Sequence, residues 1–317
     1  MMMQRKKNLR LLGLLLILVI AAVVLGLTGE SGSKLDVDRD IFTYDDPSRI
    51  DAVVLERRNA SDTLAFVNGQ WMLNGKYKAD PQRISVLFAI LKQAMVRRKA
   101  ARTQLDSLQS WMDENSVRAN FYEGNELVKQ FEVGGHEDRG ITYYRSAPGE
   151  PVFLMEIPGY RSYLAGIYEL DENGWRYPRV YDFNWRNLKD VHVEYPANSG
   201  NGFDISSKDG FYSIEQLAKT DTTKLTNFLD DLSLLYVNDF LFPSEAAQYD
   251  TLQYKLEAQI TVRDVGDNRY LMEVLGTLPG KSEILIRIDS SQYALAQFDA
   301  LRKILRPRKF FVEKETP

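Results

Sequence analysis

Hydrophobic positions in this chain recur at two periods, and the periods alternate in a set order. Ile50 to Glu56 alternates apolar and polar residues and is rich in branched side chains, which predicts a strand. Arg57 to Asp62 is polar and predicts a hairpin loop, after which Thr63 to Val67 returns as a second strand. Asn68-Gly69 is a strong turn dipeptide because both residues tolerate positive φ, so Gln70 to Leu73 follows as a third strand. The period then changes. Asp80 is placed to cap a helix with Pro81 at its first position, and Ile84, Leu87, Phe88, Leu91 and Met95 recur at three- and four-residue spacing. Val117 to Tyr122 and Leu127 to Val133 flank Glu123-Gly124-Asn125 as a hairpin. Val152 to Ile157 predicts a further strand and Tyr160 to Tyr168 a closing helix.

The same order then returns. Val191, Val193 and Glu194 follow Val53, Leu55 and Glu56 at a spacing of 138 residues. Trp71, which follows Gly69, and Tyr212, which follows Gly210, are 141 residues apart. That spacing also carries Ile84, Leu87, Phe88, Leu91, Ala94 and Val96 onto Leu225, Phe228, Leu229, Leu232, Leu235 and Val237, and Phe131-Glu132-Val133 with Gly135 onto Met272-Glu273-Val274 with Gly276. The growth in spacing places an insertion in the hairpin loop 195–202, and Asp221 takes the capping role of Asp80. Val152 to Ile157 aligns with Glu283 to Ile288 if the first copy carries extra residues around Gly140 to Pro151, and Gln292 to Leu305 then reads as the second closing helix. Each copy is therefore expected to be β-β-β-α-β-β-β-α. Short hairpin connections imply mainly antiparallel pairing with helices on one face.

Leu11 to Leu27 contains no charged residue, and seventeen residues at about 1.5 Å each span roughly 26 Å, near the hydrocarbon thickness of a bilayer. Arg5, Lys6, Lys7 and Arg10 precede it; Glu30, Asp36, Asp38, Asp40, Asp45 and Asp46 follow it. Cations stay on the cytoplasmic side, so the body is expected outside the inner membrane. The stretch is longer than the core of a cleaved signal peptide, which favours a retained anchor. The expected fold class is α+β: an N-terminal transmembrane helix followed by two tandem antiparallel units. The expected organisation is a cytoplasmic tail at 1–8, an anchor at 9–28, a tether at 29–41, a first repeat at 42–170, an aromatic linker at 171–187 and a second repeat at 188–317.

Composition narrows the chemistry. The chain has no Cys, which excludes disulfide and thiolate chemistry and lipoprotein anchoring. A net charge of −4 argues against nucleic acid as a partner. No phosphate loop, dinucleotide fingerprint, nucleophile elbow or zinc-protease motif occurs, and no metal or cofactor is expected. Asp36-Val37-Asp38-Arg39-Asp40 opens like a calcium loop, but Ile41 and Pro47 stand where that loop needs Gly and Glu. His136 is read as part of a solvated turn and His192 as facing outward from a sheet. Glu132 and Glu273 hold equivalent positions and are read as solvated strand residues. Basic clusters at Arg97-Arg98-Lys99 and Arg302-Lys303 are read as solvated faces following helices. The best candidate interaction surface combines Tyr143, Tyr144, Trp175, Arg176, Tyr177, Arg179, Tyr181 and Trp185, with Phe183 among them, since aromatics with Arg are favoured at interfaces. The competing reading is that these aromatics fill a core.

Several of these segments resemble the DUF4340 family of bacterial membrane-anchored proteins. They are Phe42…Asp46…Ile50-Asp51, Trp71-Met72-Leu73-Asn74-Gly75-Lys76-Tyr77, Val133-Gly134-Gly135, Ile157-Pro158-Gly159-Tyr160, Trp175-Arg176 and Val193-Glu194-Tyr195-Pro196. The resemblance implies a periplasm-facing protein of the inner membrane, in some members alongside ABC transporters of the gliding-motility type. It brings no catalytic residue. The expected function is a non-enzymatic, membrane-anchored periplasmic binding or scaffold protein with an envelope protein partner. The alternatives are an envelope hydrolase acting on glycan or peptide and a periplasmic ligand-binding module.

Overall fold

The structure, a computed structural model, describes residues 38–208, 210–249 and 253–313. The anchor expected at 9–28 lies outside these residues; among the described residues no helix is long and apolar enough to cross a membrane.

The fold is α+β with two antiparallel sheets. In chain order the first set of elements is β1 (Ala52–Arg57), β2 (Ala60–Val67), β3 (Gln70–Leu73), β4 (Tyr77–Lys78), α1 (Pro81–Gln93), β5 (Met95–Lys99), α2 (Leu105–Asn115), β6 (Val117–Glu123), β7 (Glu126–His136), β8 (Ile141–Arg145), β9 (Phe153–Glu156), α3 (Gly166–Glu169) and α4 (Glu172–Trp175). The second set is β10 (Leu188–Glu194), β11 (Phe203–Lys208), β12 (Phe211–Ile214), α5 (Thr222–Ser233), β13 (Asp239–Phe240), α6 (Pro243–Ala247), β14 (Ala258–Asp264), β15 (Arg269–Thr277), β16 (Glu283–Ile288), β17 (Gln292–Gln297) and α7 (Phe298–Ile304). The nine-stranded sheet runs β4-β3-β2-β1-β6-β7-β8-β9-β5, and the eight-stranded sheet β12-β11-β10-β14-β15-β16-β17-β13. Without β4 the two orders are the same, strand for strand. By contacts the chain divides into one unit running up to Ile50 with Leu55–Ala60 and Leu87–Tyr168, and another of Asp51–Val54, Ser61–Val86 and Glu169 onward.

The turns and caps follow local chemistry. Asn68 and Gly69 adopt φ of 51° and 82°, the geometry that lets a two-residue turn join β2 to β3. Asp80 Oδ1 accepts from the Gln82 N–H at 2.9 Å and Asp221 Oδ1 from the Lys224 N–H at 3.1 Å, so both acids engage free amides of a helix N-terminus. The inserted hairpin loop lies between β10 and β11, where the spacing placed it.

The closing half of each copy differs from the expected string. A short edge strand, β5 or β13, follows the long helix, and four antiparallel strands come after it rather than three. Arg97-Arg98-Lys99 therefore belongs to β5, and the supposed insertion around Gly140 contains β8. By sheet position Glu283–Ile288 corresponds to β8, and Phe153–Glu156 to β17. Gln292–Gln297 is a strand although Ala and Leu favour helix. Pairing along β16 and complete burial of Ala294 and Ala296 override that propensity. Of the helix expected at Tyr160 to Tyr168, only the stretch in α3 (Gly166–Glu169) is helical.

In the first unit the core centres on Phe131, which stacks on Tyr144 at 4.6 Å and meets Phe42 and Tyr168 edge-on. In the second, Phe203, Phe228 and Phe311 form a triangle of rings under α5, whose Leu225, Phe228, Leu229 and Leu232 are buried. The opposite sheet faces are covered too. Beside β7 and β8 lies α2: Trp111 touches the position of Gly134, and Asp113 reaches Arg145. Along β15 to β17 a second apolar cluster of Leu241, Ala246, Leu275, Leu278, Leu285 and Leu295 plays this part.

These covered faces correct the reading of Glu132 and Glu273. Both are buried, at 5% and 7% exposure. Glu132 lies opposite Arg145 in the β7–β8 ladder and accepts from its Nε at 2.6 Å, with Arg118 donating at 3.0 Å. Glu273 lies opposite Arg287 in the β15–β16 ladder and accepts two bonds, at 2.6 and 2.9 Å. The carboxylate raises the Arg287 pKa, mainly through these hydrogen bonds. The same ion pair thus occupies the same ladder position in both sheets.

Arg145→Met strands Glu132 in a buried site with Arg118 as its remaining partner, and should lower stability by roughly 3–5 kcal/mol, read from the midpoint of urea unfolding. Joint replacement with Glu132→Leu should restore most of that loss. A Cβ added at Gly135 would fall 2.1 Å from the Ile141 carbonyl oxygen and 2.8 Å from the Tyr163 ring. Gly135→Ala should therefore part β7 from β8 and lower stability, read in the same way, by about 1–3 kcal/mol.

Candidate functional site

The segment expected as a linker at 171–187 is held by backbone hydrogen bonds along much of its length. Within the second unit, the Tyr177 N–H donates to the Lys78 carbonyl, and the Trp175 carbonyl accepts from Asp80 N–H. Further on, Val180 N–H donates to Leu235 and the Pro178 carbonyl accepts from Val237 N–H. After the helix α4 the segment is thus a strap, pinned by antiparallel bridges at Arg176 and Arg179. Asp171 starts it by capping α4, accepting from Gly174 N–H at 2.7 Å.

This path decides where each aromatic goes. Trp175, Tyr181 and Phe183 are buried, and burial pushes the Tyr181 hydroxyl pKa well up. Tyr177 is half-buried, 6.4 Å from the Tyr236 ring. Arg179 donates to the carbonyls of Ser233 and Phe183. Trp185 is 41% exposed and its indole N–H donates to Asp230. In the first unit Tyr144 is buried in the core, where burial likewise raises its pKa, and Tyr143 is half-buried. Of the eight residues, Tyr144, Trp175 and Tyr181 thus serve cores; Tyr143, Tyr177, Arg179 and Trp185 reach the surface in part.

Arg176 is the exception among them. It is 8% exposed, yet it has no carboxylate partner among the described residues. Its guanidinium lies over the Tyr77 ring at 3.9 Å and the Phe240 ring at 3.6 Å, so both faces are covered. One edge donates from Nη1 to Gln292 Oε1 at 2.8 Å. Burial lowers its pKa, against smaller opposing effects from Tyr77 and Glu172. Two ring contacts replace a salt bridge here: the cation is held by ring quadrupoles, which need no desolvated anion.

Arg176 lines a cleft of about 280 Å³ together with Arg83, Asn173, Asp239, Phe240 and Tyr249. Arg83 stands in the first turn of α1, 3.5 Å from Asp80, and its Nη1 is buried without a hydrogen-bond partner. Asp171 and Glu245 also line the cleft, but each accepts a backbone N–H, from Gly174 and from Phe242. The arrangement can bind and orient a polar group.

Residues 71–258, more than half of the sequence, match a family described as a domain of unknown function, DUF4340. The chain belongs to the DUF4340 family. No curated protein and no solved structure matches it. The DUF4340 match includes Tyr77, Arg83, Arg176 and Phe240, and Gln292 falls beyond it.

The two histidines take different places. His192 sits on the exposed face of β10 and hydrogen-bonds Asp204 across the ladder, as an outward-facing residue should. His136 is not part of a solvated turn. It ends β7 half-buried, with its ring 4.9 Å from Trp111 and 6.4 Å from Tyr143. Among the described residues no group of acids and histidines could hold a metal ion.

Sequence reasoning selected Arg176 but missed Arg83, Tyr77, Phe240 and Gln292 as its neighbours. Arg83 did carry a signal: a cation in the first turn of a helix opposes the helix dipole. The other three come from distant segments, with no spacing rule to connect them.

Arg176→Lys keeps the charge but cannot cover two rings with a planar group while reaching Gln292. It should lower the thermal midpoint, with a loss of roughly 1–3 kcal/mol. Calorimetry of the purified protein reads this directly.

Proposed function

We infer that this DUF4340 protein is a non-enzymatic, membrane-anchored binding or scaffold subunit whose body faces the periplasm. The observation that carries the reading is the cleft beside Arg176, where a buried guanidinium with covered faces shares a small opening with an unpartnered Arg83 Nη1. The buried glutamates of the two sheets are taken up by arginines, Glu132 by Arg145 and Glu273 by Arg287, which suits a rigid support.

The anchor is proposed from the uncharged stretch Leu11 to Leu27 and the cations before it. The body is proposed as a tandem duplication on the identical strand order, the matched caps Asp80 and Asp221 and the matched ion pairs. An anchored binder searches for partners in the plane of the membrane, which raises effective concentration without any new contact. An envelope protein, such as an ABC transporter of the gliding-motility type, is the partner class this placement favours.

A photo-crosslinking residue at Asp239 or Glu245 of the full chain, in native membranes, should capture one defined envelope protein. The same probe at Glu194, on the exposed face of β10, should not. Equal capture from both positions, or capture from neither, would overturn the binding role. A periplasm-dependent reporter fused after Pro317 should be active, and an inactive fusion reverses the orientation.

A further inference from the structure

We propose that the Arg83–Arg176 cleft is a carboxylate site, taking either a small free acid or the C-terminal carboxylate of a peptide. The proposal rests on the binding role above and names its ligand chemistry. Arg176 has its two faces closed by Tyr77 and Phe240, so only the edges of the guanidinium can meet a ligand, and Gln292 occupies part of one. A guanidinium edge presents parallel N–H groups, which match the two oxygens of a carboxylate. Arg83 adds a second donor: its Nη1 is buried with no hydrogen-bond partner, although a buried donor left unsatisfied is costly. Both side chains line the same cleft of about 280 Å³.

Charge selects among anions. Asp171, Asp239 and Glu245 line the cleft with the two arginines, and Asp80 lies 3.5 Å from Arg83. This surround opposes a dianion such as phosphate about twice as strongly as a single negative charge. The volume suits a few heavy atoms, which is the end of a peptide or a short acid and less than a nucleotide. Phe242 and Tyr249 supply apolar surface for the ligand's carbon atoms.

The test is titration calorimetry on the full chain in detergent micelles, with four probes: acetate, N-acetyl-trialanine, its C-terminal amide and inorganic phosphate. The expected result is saturable binding of N-acetyl-trialanine and loss of binding for the amide. Acetate competing as well as the peptide assigns a free acid as the source; acetate failing to compete assigns a peptide terminus. Arg83→Ala should weaken the carboxylate probes at least tenfold while shifting the thermal midpoint little, since Arg83 Nη1 has no hydrogen-bond partner and the 3.5 Å pair of Arg83 Nε with Asp80 is partly exposed. Equal binding of acid and amide, preference for phosphate, no binding at millimolar concentration, or an Arg83→Ala affinity equal to the parent would each overturn the carboxylate site. Crosslinking of an envelope partner through a cleft that binds no carboxylate would defeat this inference alone and leave the binding role standing.

Discussion

A charge that leaves water must take its partner with it, and in this protein that constraint sets the register of the central strands. Glu132 is opposite Arg145 and Glu273 opposite Arg287, on the sheet face away from the main core; both carboxylates and Arg145 are buried, and Arg287 is half-buried. A strand slipped by one residue turns every side chain to the other face. Here such a slip would also leave a carboxylate buried without its cation, which costs far more than a misplaced apolar side chain. Register in turn decides which residues meet the covering segments: α2 beside β7 and β8, and the apolar cluster around Leu275 and Leu285 along β15 and β16. The pair thus acts as a specificity device, and the surrounding leucines and rings supply the burial.

A different solution holds Arg176. Its segment has to run extended so that its backbone can pair, first with residues near Lys78 and then with residues near Leu235. The chain leaves the helix α4 at Trp175, which is wholly buried, and turns extended at Arg176, which enters the space between Tyr77 and Phe240. Stacking satisfies the faces of the cation without an acid, and its edges stay available for hydrogen bonds. Positioning by rings rather than by a carboxylate is what allows a buried arginine to serve a cleft.

Much of the first half of each sheet was legible. Asn68-Gly69, Asp80-Pro81 and the stripe Ile84, Leu87, Leu91 are local signals, and local signals survive folding because neighbouring residues alone produce them. The second half was misread where local preference and pairing disagree. Gln292–Gln297 looks helical residue by residue, and becomes a strand because β16 offers it a ladder and the core beneath admits only small side chains at Ala294 and Ala296. The strand β8 was hidden for a related reason: its Thr-Tyr-Tyr core lies between Gly140 and the polar loop before Pro151, which reads as a loop until β7 pairs with it. At the candidate site, Arg176 was selected by composition, but its neighbours Tyr77, Arg83, Phe240 and Gln292 were invisible as a group.

By itself the amino-acid order determined the α+β class, the turns, the caps, the helices α1 and α5 and the equivalence of Glu132 with Glu273, because periodicity, turn chemistry and spacing are properties of neighbouring residues. Only the tertiary structure decided that those two glutamates are buried and paired, that the segment at 171–187 is a strap, and that Arg83 and Arg176 share one cleft. Burial and partnership depend on which distant segments meet, and a linear sequence carries no distance between residues 83, 176 and 240.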